Sequence, residues 1–312
     1  MNPLVSIISI NYNSLEVTCE MIESVRANSY KNVEVIVVDN ASKVCPKEFL
    51  NTNYPEVKVI SSDKNLGFAG GNNLGIKASN GEYLFFLNND AVLTDGALEK
   101  MLALFDSNPE LGVVSPKICY FKNDEEVKED LIQYAGTTQV HPITARNQTI
   151  GEKELDKNQY TEARQTAYAH GCAMLIKEEV LTTVGMMPED FFLYYEELDW
   201  CEQIRKAGYD IYVEPNAKVY HKESYSVQKI SALKTYYINR NRILFMRRHR
   251  TNKQLAGFFL FLTFFTIPKN ALMLLLKRDF ANFKAFFRAI NWHLTEGKNL
   301  NHSSKNLIVN KK

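Results

Sequence analysis

Five short β-branched runs alternate with helix-length stretches over the first 120 residues, and that alternation limits the architecture most. Val5-Ser-Ile-Ile-Ser-Ile10, Val33-Glu-Val-Ile-Val-Val38, Val57-Lys-Val-Ile60, Tyr83-Leu-Phe-Phe-Leu87 and Gly112-Val-Val-Ser115 are strand-like. Residues 15–28, 70–79 and 95–107 lie between them and suit helices. Near-continuous apolar strands separated by helices predict an α/β chain, with a mostly parallel sheet covered on both faces. Ligands of such sheets bind beyond the C-terminal ends of the strands. The polar residues there are Asn11 and Asn13, Asp39, and the triplet Asn88-Asn89-Asp90.

At 312 residues, with 45% hydrophobic and 23% charged side chains, the chain suits one large domain or two modest ones. Disorder, collagen and a disulfide miniprotein are excluded. Five scattered cysteines, never in a C-x-x-C pair, predict reduced thiols and no zinc site. Met1-Asn2-Pro3-Leu4 lacks the basic-then-apolar pattern of a leader, so the expected location is the cytoplasm. Charge is segregated. Residues 229–312 carry 17 Lys/Arg against Asp279 and Glu296, a formal +15, whereas the 20 basic and 34 acidic groups of residues 1–228 come to −14. An acidic body of residues 1–230 and a basic tail of residues 231–312 are therefore expected. The body divides further at residue 120, followed by a polar, variable insertion over 121–165.

Apolar order resumes at His170-Gly-Cys-Ala-Met-Leu-Ile176. A helix is expected from Glu197 to Lys206, stopped by Gly208. Strand-like runs follow at Tyr209–Val213 and Ala217–Tyr220, and from Ser231 the pattern is helical. Leu255–Ile267 is the most apolar stretch, broken at Pro268-Lys269-Asn270 and short of the ~20 residues a single span needs. Basic flanks at Arg247–Arg250 and Lys277-Arg278, and Phe280, Phe283, Phe286 and Phe287 at helical spacing, favour a segment lying on an anionic membrane surface. A homo-oligomer packed through these helices is the alternative. The apolar load argues against a nucleic-acid surface.

Val38-Asp-Asn-Ala-Ser42, Asn65-Leu-Gly-Phe-Ala-Gly-Gly-Asn-Asn-Leu-Gly-Ile76, Phe86-Leu-Asn-Asn-Asp90, Tyr195-Glu-Glu-Leu-Asp-Trp-Cys201 and Arg240-Asn241 occur in this order. The set strongly resembles family-2 inverting glycosyltransferases, and its last two members resemble the rhamnosyltransferase-type branch. The resemblance covers about residues 4–245. It implies a GT-A, Rossmann-like fold, a nucleoside-diphosphate sugar donor and Mg²⁺ or Mn²⁺. Asp39 would take the nucleobase or ribose, with Asn11, Asn13, Asn65, Gly67, Asn72, Asn88 and Asn89 around the nucleotide sugar. Asn72 stands where many relatives have Arg. Asp90 is the only carboxylate in the triplet that replaces D-x-D, and with His221 it would hold the metal. Among Glu196, Glu197 and Asp199, Glu197 would be the general base, at a position that is usually Asp. His170, Gly171, Trp200 and Arg240 would lie on the acceptor side.

Each piece also has a plain structural reading. Asp39 suits a turn cap, the glycines a tight turn, and the acidic cluster a helix first turn. The implied activity is transfer of one sugar, with dTDP-L-rhamnose as the expected donor and a lipid-linked glycan as the acceptor. Neither Trp200 nor Trp292 follows the Q-x-x-R pattern of processive synthases. The enzyme would attach peripherally to the inner face of the cell membrane. UDP-hexose or UDP-galactofuranose donors, a non-catalytic nucleotide-sugar-binding scaffold, and an oxidoreductase are the alternatives, the last disfavoured by the missing G-x-G-x-x-G.

Overall fold

The computed structural model describes residues 2–121, 130–222 and 231–299. The first strands form where the β-branched runs predict them: β1 (Val5–Asn11), β2 (Val33–Asp39) and β3 (Val57–Ser61). Helices α1 (Leu15–Arg26) and α2 (Lys47–Asn53) carry the chain between them. Then α3 (Gly67–Ala78) returns it across the sheet to β4 (Tyr83–Leu87), on the other side of β1. Strand order therefore reverses between β1 and β4, where an open α/β sheet forms its ligand crevice.

Alternate side chains serve the two faces. Ile7, Val35, Val37 and Phe85 face one core with Met21 and Ile22 of α1 and Leu50 of α2. Ile8, Ile36, Val38, Leu84 and Phe86 face the other, with Ala69 and Ile76 of α3.

Beyond β4 come β5 (Ala91–Leu93), α4 (Ala97–Ser107), β6 (Leu111–Tyr120), β7 (Ile132–Tyr134), β8 (Arg164–Gln165) and β9 (Ala173–Lys177). They are followed by α5 (Glu178–Val184), α6 (Glu196–Lys206) and β10 (Asp210–His221). The sheet runs β3-β2-β1-β4-β9-β6-β10-β5, with β7 on β6 and β8 on β10. Its first half is parallel, as expected, but β9 enters antiparallel between β4 and β6, and β5 pairs antiparallel with β10. The sheet is thus more mixed than the alternation of strands and helices implies. The two runs expected at 209–213 and 217–220 are one strand, β10, with a register shift between Glu214 and Lys218.

The insertion packs onto the sheet. Lys117 and Asp156 form a buried ion pair at 2.8 Å, and Lys218 reaches Asp156 at 3.0 Å and Asp130 at 3.1 Å.

The chain after residue 231 is not a separate tail. Helix α7 (Ala232–His249) buries Ile243, Leu244, Phe245 and Met246 in the core that holds Trp200, and α10 (Phe280–Trp292) packs on α7. The boundary residues 223–230 and the basic residues 305, 311 and 312 lie outside the described residues.

Between α7 and α10, α8 (Asn252–Phe261) and α9 (Ile267–Leu276) form one helical path through a π turn at Leu262–Thr266. Pro268 therefore does not end the helix. Its ring would meet the carbonyl four residues back, and that residue, Phe264, lies in the widened turn. This 25-residue helix is long and apolar enough to cross a membrane, with mean hydropathy 1.8 over its most apolar window, of which 6% is buried.

Candidate active site

A cavity of about 380 Å³ opens at the C-terminal end of β4, lined by Asn88, Asp90, His170, Gly171, Cys172, His221, Glu196 and Glu197. Four separate parts of the chain contribute. The turn after β4 leads into β5, whose Ala91 pairs with His221 at the end of β10. That antiparallel pairing puts Asp90 Oδ1 3.1 Å from His221 Nε2. The Asn88 amide lies 3.4 Å from the same nitrogen, and Gln133 Oε1 lies 2.9 Å from His221 Nδ1. Gln133 falls in the segment expected to vary, so no local pattern marked it.

Burial works against both charges, yet the pair overrides it. Hydrogen bonding to His221 holds the Asp90 carboxyl below its usual range. Cys172 and Asp90 hold His221 well above the ordinary histidine value. His170, by contrast, is pushed down to about 3 by burial and by His221, and its Nδ1 accepts the Cys172 backbone N–H at 3.1 Å.

Asp90 and His221 supply one oxygen and one nitrogen, and among the described residues no third His, Cys, Asp or Glu completes a cage. Such a donor set fits a divalent cation that takes its other ligands from water and substrate phosphates.

On the opposite wall, Glu196 and Glu197 open α6. Each has a carboxylate Oε2 that is buried and has no hydrogen-bond partner among the described residues. Burial and the neighbouring Glu197 charge raise the Glu196 pKa well above the ordinary value, and burial raises that of Glu197. A Cβ on Gly171 would lie 3.6 Å from Glu197 Cγ, so this glycine faces the second acid closely.

The approach to α6 is strained: Phe192, Tyr194 and Tyr195 have φ of 64°, 67° and 78°. Left-handed backbone at non-glycine residues costs of the order of 1–3 kcal/mol each and persists only when neighbours hold it. Here Asn241 Nδ2 on α7 lies 2.9, 2.8 and 2.7 Å from the carbonyls of Phe191, Leu193 and Tyr194. Arg240 donates to the carbonyls of Asp190 and Phe191. From the other side, Phe68 N–H donates to Phe192 O at 2.8 Å, and a Cβ on Gly67 would lie 2.1 Å from that oxygen.

Three residues expected at the chemistry lie away from the cavity. Asp199 is buried, with Oδ1 2.7 Å from His249 Nε2 and Oδ2 2.7 Å from Gln203 Nε2. Trp200 packs edge-on against Phe86 and donates from Nε1 to Gly185 O at 3.1 Å. Arg240 stacks on Tyr237 and Trp292 while holding the strained loop. The cause is helical geometry. Asp199 lies about 200° around α6 from Glu197, and Trp200 one turn deeper than Glu196.

The expected donor residues gather at the neighbouring strand ends. Asn11 and Asp39 are register partners, and Asn11 Nδ2 donates to Asp39 Oδ1 at 2.9 Å. Asn13, with φ 54°, accepts the Lys43 N–H at 2.8 Å. Asn65 accepts the Gly67 N–H at 2.9 Å and the Asn40 amide at 3.2 Å. Asn89 turns away from the cavity to Ser14 Oγ and Thr18 Oγ1, at 2.7 and 2.9 Å. Asn72 is buried and its Nδ2 has no partner among the described residues, a donor whose burial costs about 1–3 kcal/mol unless a ligand meets it. The other glycines of α3 serve packing: a Cβ on Gly75 would lie 2.3 Å from Ile8, and one on Gly71 2.9 Å from Ile10.

The chain is similar to known proteins. The chain is 28% identical over 210 residues to the low-salt glycan biosynthesis hexosyltransferase Agl10 of Haloferax volcanii, covering 66% of this chain and 63% of that protein. The match thus spans under two thirds of Agl10. It is 24% identical over 234 residues to the dTDP-rhamnosyl transferase RfbF of Shigella flexneri, covering 70% and 72%. The structure of GalNAc-T7 with UDP, GalNAc and Mn²⁺ superposes with a TM-score of 0.65 at 16% identity, over 96% of this chain and 58% of that one. The fold is GT-A. The sequence profile described as Glycosyl transferase family 2 matches residues 6–185, and the chain belongs to that family.

Proposed function

We infer that the protein is an inverting glycosyltransferase that moves one sugar from a nucleoside diphosphate to an acceptor hydroxyl. One observation carries this reading: the Asp90–His221 pair and the Glu196–Glu197 pair line the same cavity, at the reversal of strand order. Asn11 and Asp39 at the ends of β1 and β2 bind the nucleoside, with Asn13, Asn65 and Asn72 along the same rim. Glu197 accepts the proton of the acceptor hydroxyl. That oxygen forms its bond to the anomeric carbon as the bond to the diphosphate oxygen breaks, and the bonding pair leaves with the diphosphate. Attack opposite the leaving group inverts the centre. Raised pKa values suit such a base, because it must take and hold a proton in the transition state. A divalent cation held by Asp90 and His221, when bound, supplies positive charge to the diphosphate.

The donor we favour is dTDP-L-rhamnose, supported by the likeness to RfbF, and the acceptor is a lipid-linked glycan. The exposed apolar helix supports attachment to the cytoplasmic face of a membrane. Incubation with a panel of nucleotide sugars, scoring nucleoside diphosphate release with and without acceptor lipid extract, tests this reading. Release from dTDP-rhamnose alone is the expected outcome. Binding of a nucleotide sugar with no release under any condition would make the chain a scaffold.

A further inference from the structure

A second cavity, of about 590 Å³, opens between α7, α9, α10 and the loop around Thr144. Arg146, Arg242 and Lys277 line it, with Thr235 and the amides of Asn239 and Asn270. Arg146 and Lys277 make no ion pair or side-chain hydrogen bond among the described residues. Asp279 also lines the cavity, but its oxygens already take the backbone and side-chain N–H groups of Asn282, at 3.2 and 2.7 Å. Cations thus outnumber the one engaged carboxylate, which selects an anion.

Two further features say which anion. One rim is α9, whose Met273 lines the cavity and is 40% exposed. That rim offers an apolar chain a path beside the cationic pocket. The opposite wall meets the active site, because Arg242 Nε donates to Tyr195 Oη at 3.3 Å, and Tyr195 caps the helix that presents Glu196 and Glu197.

We propose that this groove binds the phosphate or diphosphate headgroup of a lipid acceptor, with the lipid chain lying along α9. The inference rests on the reading of the acceptor as lipid-linked. Headgroup capture by Arg146, Arg242 and Lys277 places the attached sugar beside the strained loop, so one contact serves both retention at the membrane and delivery to the base.

The test is flotation of the full chain with neutral phosphatidylcholine vesicles, carrying either a long-chain isoprenoid phosphate or phosphatidylglycerol at matched surface charge. No donor is present. The wild type should prefer the isoprenoid phosphate. The double variant Arg146→Ala/Lys277→Ala should lose that preference by about tenfold and keep its binding to phosphatidylglycerol. Arg278→Ala, just outside the groove, should leave the preference intact. Equal loss on both vesicles would reduce the groove to a generic basic surface and overturn the proposal. Affinity for soluble inorganic pyrophosphate equal to that for the isoprenoid phosphate, showing no contribution from the lipid chain, would assign the groove to a free anion and overturn it too. Because the readout needs no turnover, selective lipid binding without sugar transfer would count against the enzymatic reading alone. Transfer without lipid selectivity would count against the groove alone.

Discussion

Glu196 and Glu197 share one wall of the cavity, each with a carboxylate oxygen that meets no donor among the described residues. Burial raises both pKa values, so transfer should climb with pH through a midpoint above the ordinary glutamate value of 4.5. Glu197→Gln should lower turnover by about 10²–10⁴-fold. Donor affinity, read by calorimetry, should stay near wild type, because this side chain faces the acceptor. Turnover retained in Glu197→Gln would move the role to Glu196. Across the cavity, Asp90→Ala removes the only oxygen donor of the carboxylate–imidazole pair. Mn²⁺ binding titrated in the presence of nucleoside diphosphate should weaken at least about tenfold, and chelator should abolish transfer by the wild type. Unchanged transfer in excess chelator would rule the cation out. At this scale strand ends are a partial guide to what lines the cavity: Asn88, Asp90 and His221 do, whereas Asn89 turns away to Ser14 and Thr18. On α6 the motif runs past the cavity: Asp199 and Trp200 follow the acids in sequence but lie deeper, fully buried against His249 and Phe86.

Helix α7 and the loop before α6 work as one element. Three left-handed residues in four are an unusual load, and Asn241 counters it by reaching three carbonyls with one amide. Asn241→Asp keeps the shape but replaces a donor with an acceptor facing those oxygens. It should be worse than Asn241→Ala, which should itself cost roughly 2–3 kcal/mol for the lost hydrogen bonds. The expected signature is a lower turnover number at unchanged donor KM, together with a reduced melting temperature. An Asp variant with wild-type turnover would remove the positioning role. The strands of the first 120 residues were readable because β-branched runs have a short period and clear ends. The antiparallel entry of β9 was not, since nothing local in Ala173–Lys177 specifies which neighbours it joins. The π turn before Pro268 escaped for a similar reason: composition marks the proline, whereas the widened turn depends on how the whole helix packs.

At the scale of the whole molecule, the acidic body and the basic tail meet along one seam of ion pairs. Arg248 pairs with Asp190 and Asp199, His249 with Asp199, and Arg250 with Glu202. Of the flank expected to face lipid at Arg247–Arg250, Arg248, His249 and Arg250 therefore engage α6, whereas Lys253, Lys269 and Arg278 beside the exposed apolar helix form no ion pair among the described residues. Cutting the chain at residue 251 would remove the buried Phe258, Leu262 and Phe286 and bare the core surfaces they cover. Surface substitution is the cleaner test. Phe264, Phe265, Leu272 and Leu276 are 69%, 64%, 59% and 76% exposed, and replacing all four by Ser should release the protein from vesicles without changing donor binding. Vesicle binding that survives would point to these helices pairing with a second copy. The antiparallel β9 has a consequence for synthesis on the ribosome. When the first 120 residues have emerged, β4 has a neighbour only on its β1 side, and the edge Tyr83-Leu-Phe-Phe-Leu87 waits for Ala173–Lys177 to be translated. An open apolar edge is a template for pairing between chains. A fragment ending at residue 120 should therefore self-associate, visible by light scattering, to a degree the full chain does not. Nascent chains of this protein would need shelter for the time taken to make about fifty more residues, a delay set by strand order and not by domain size.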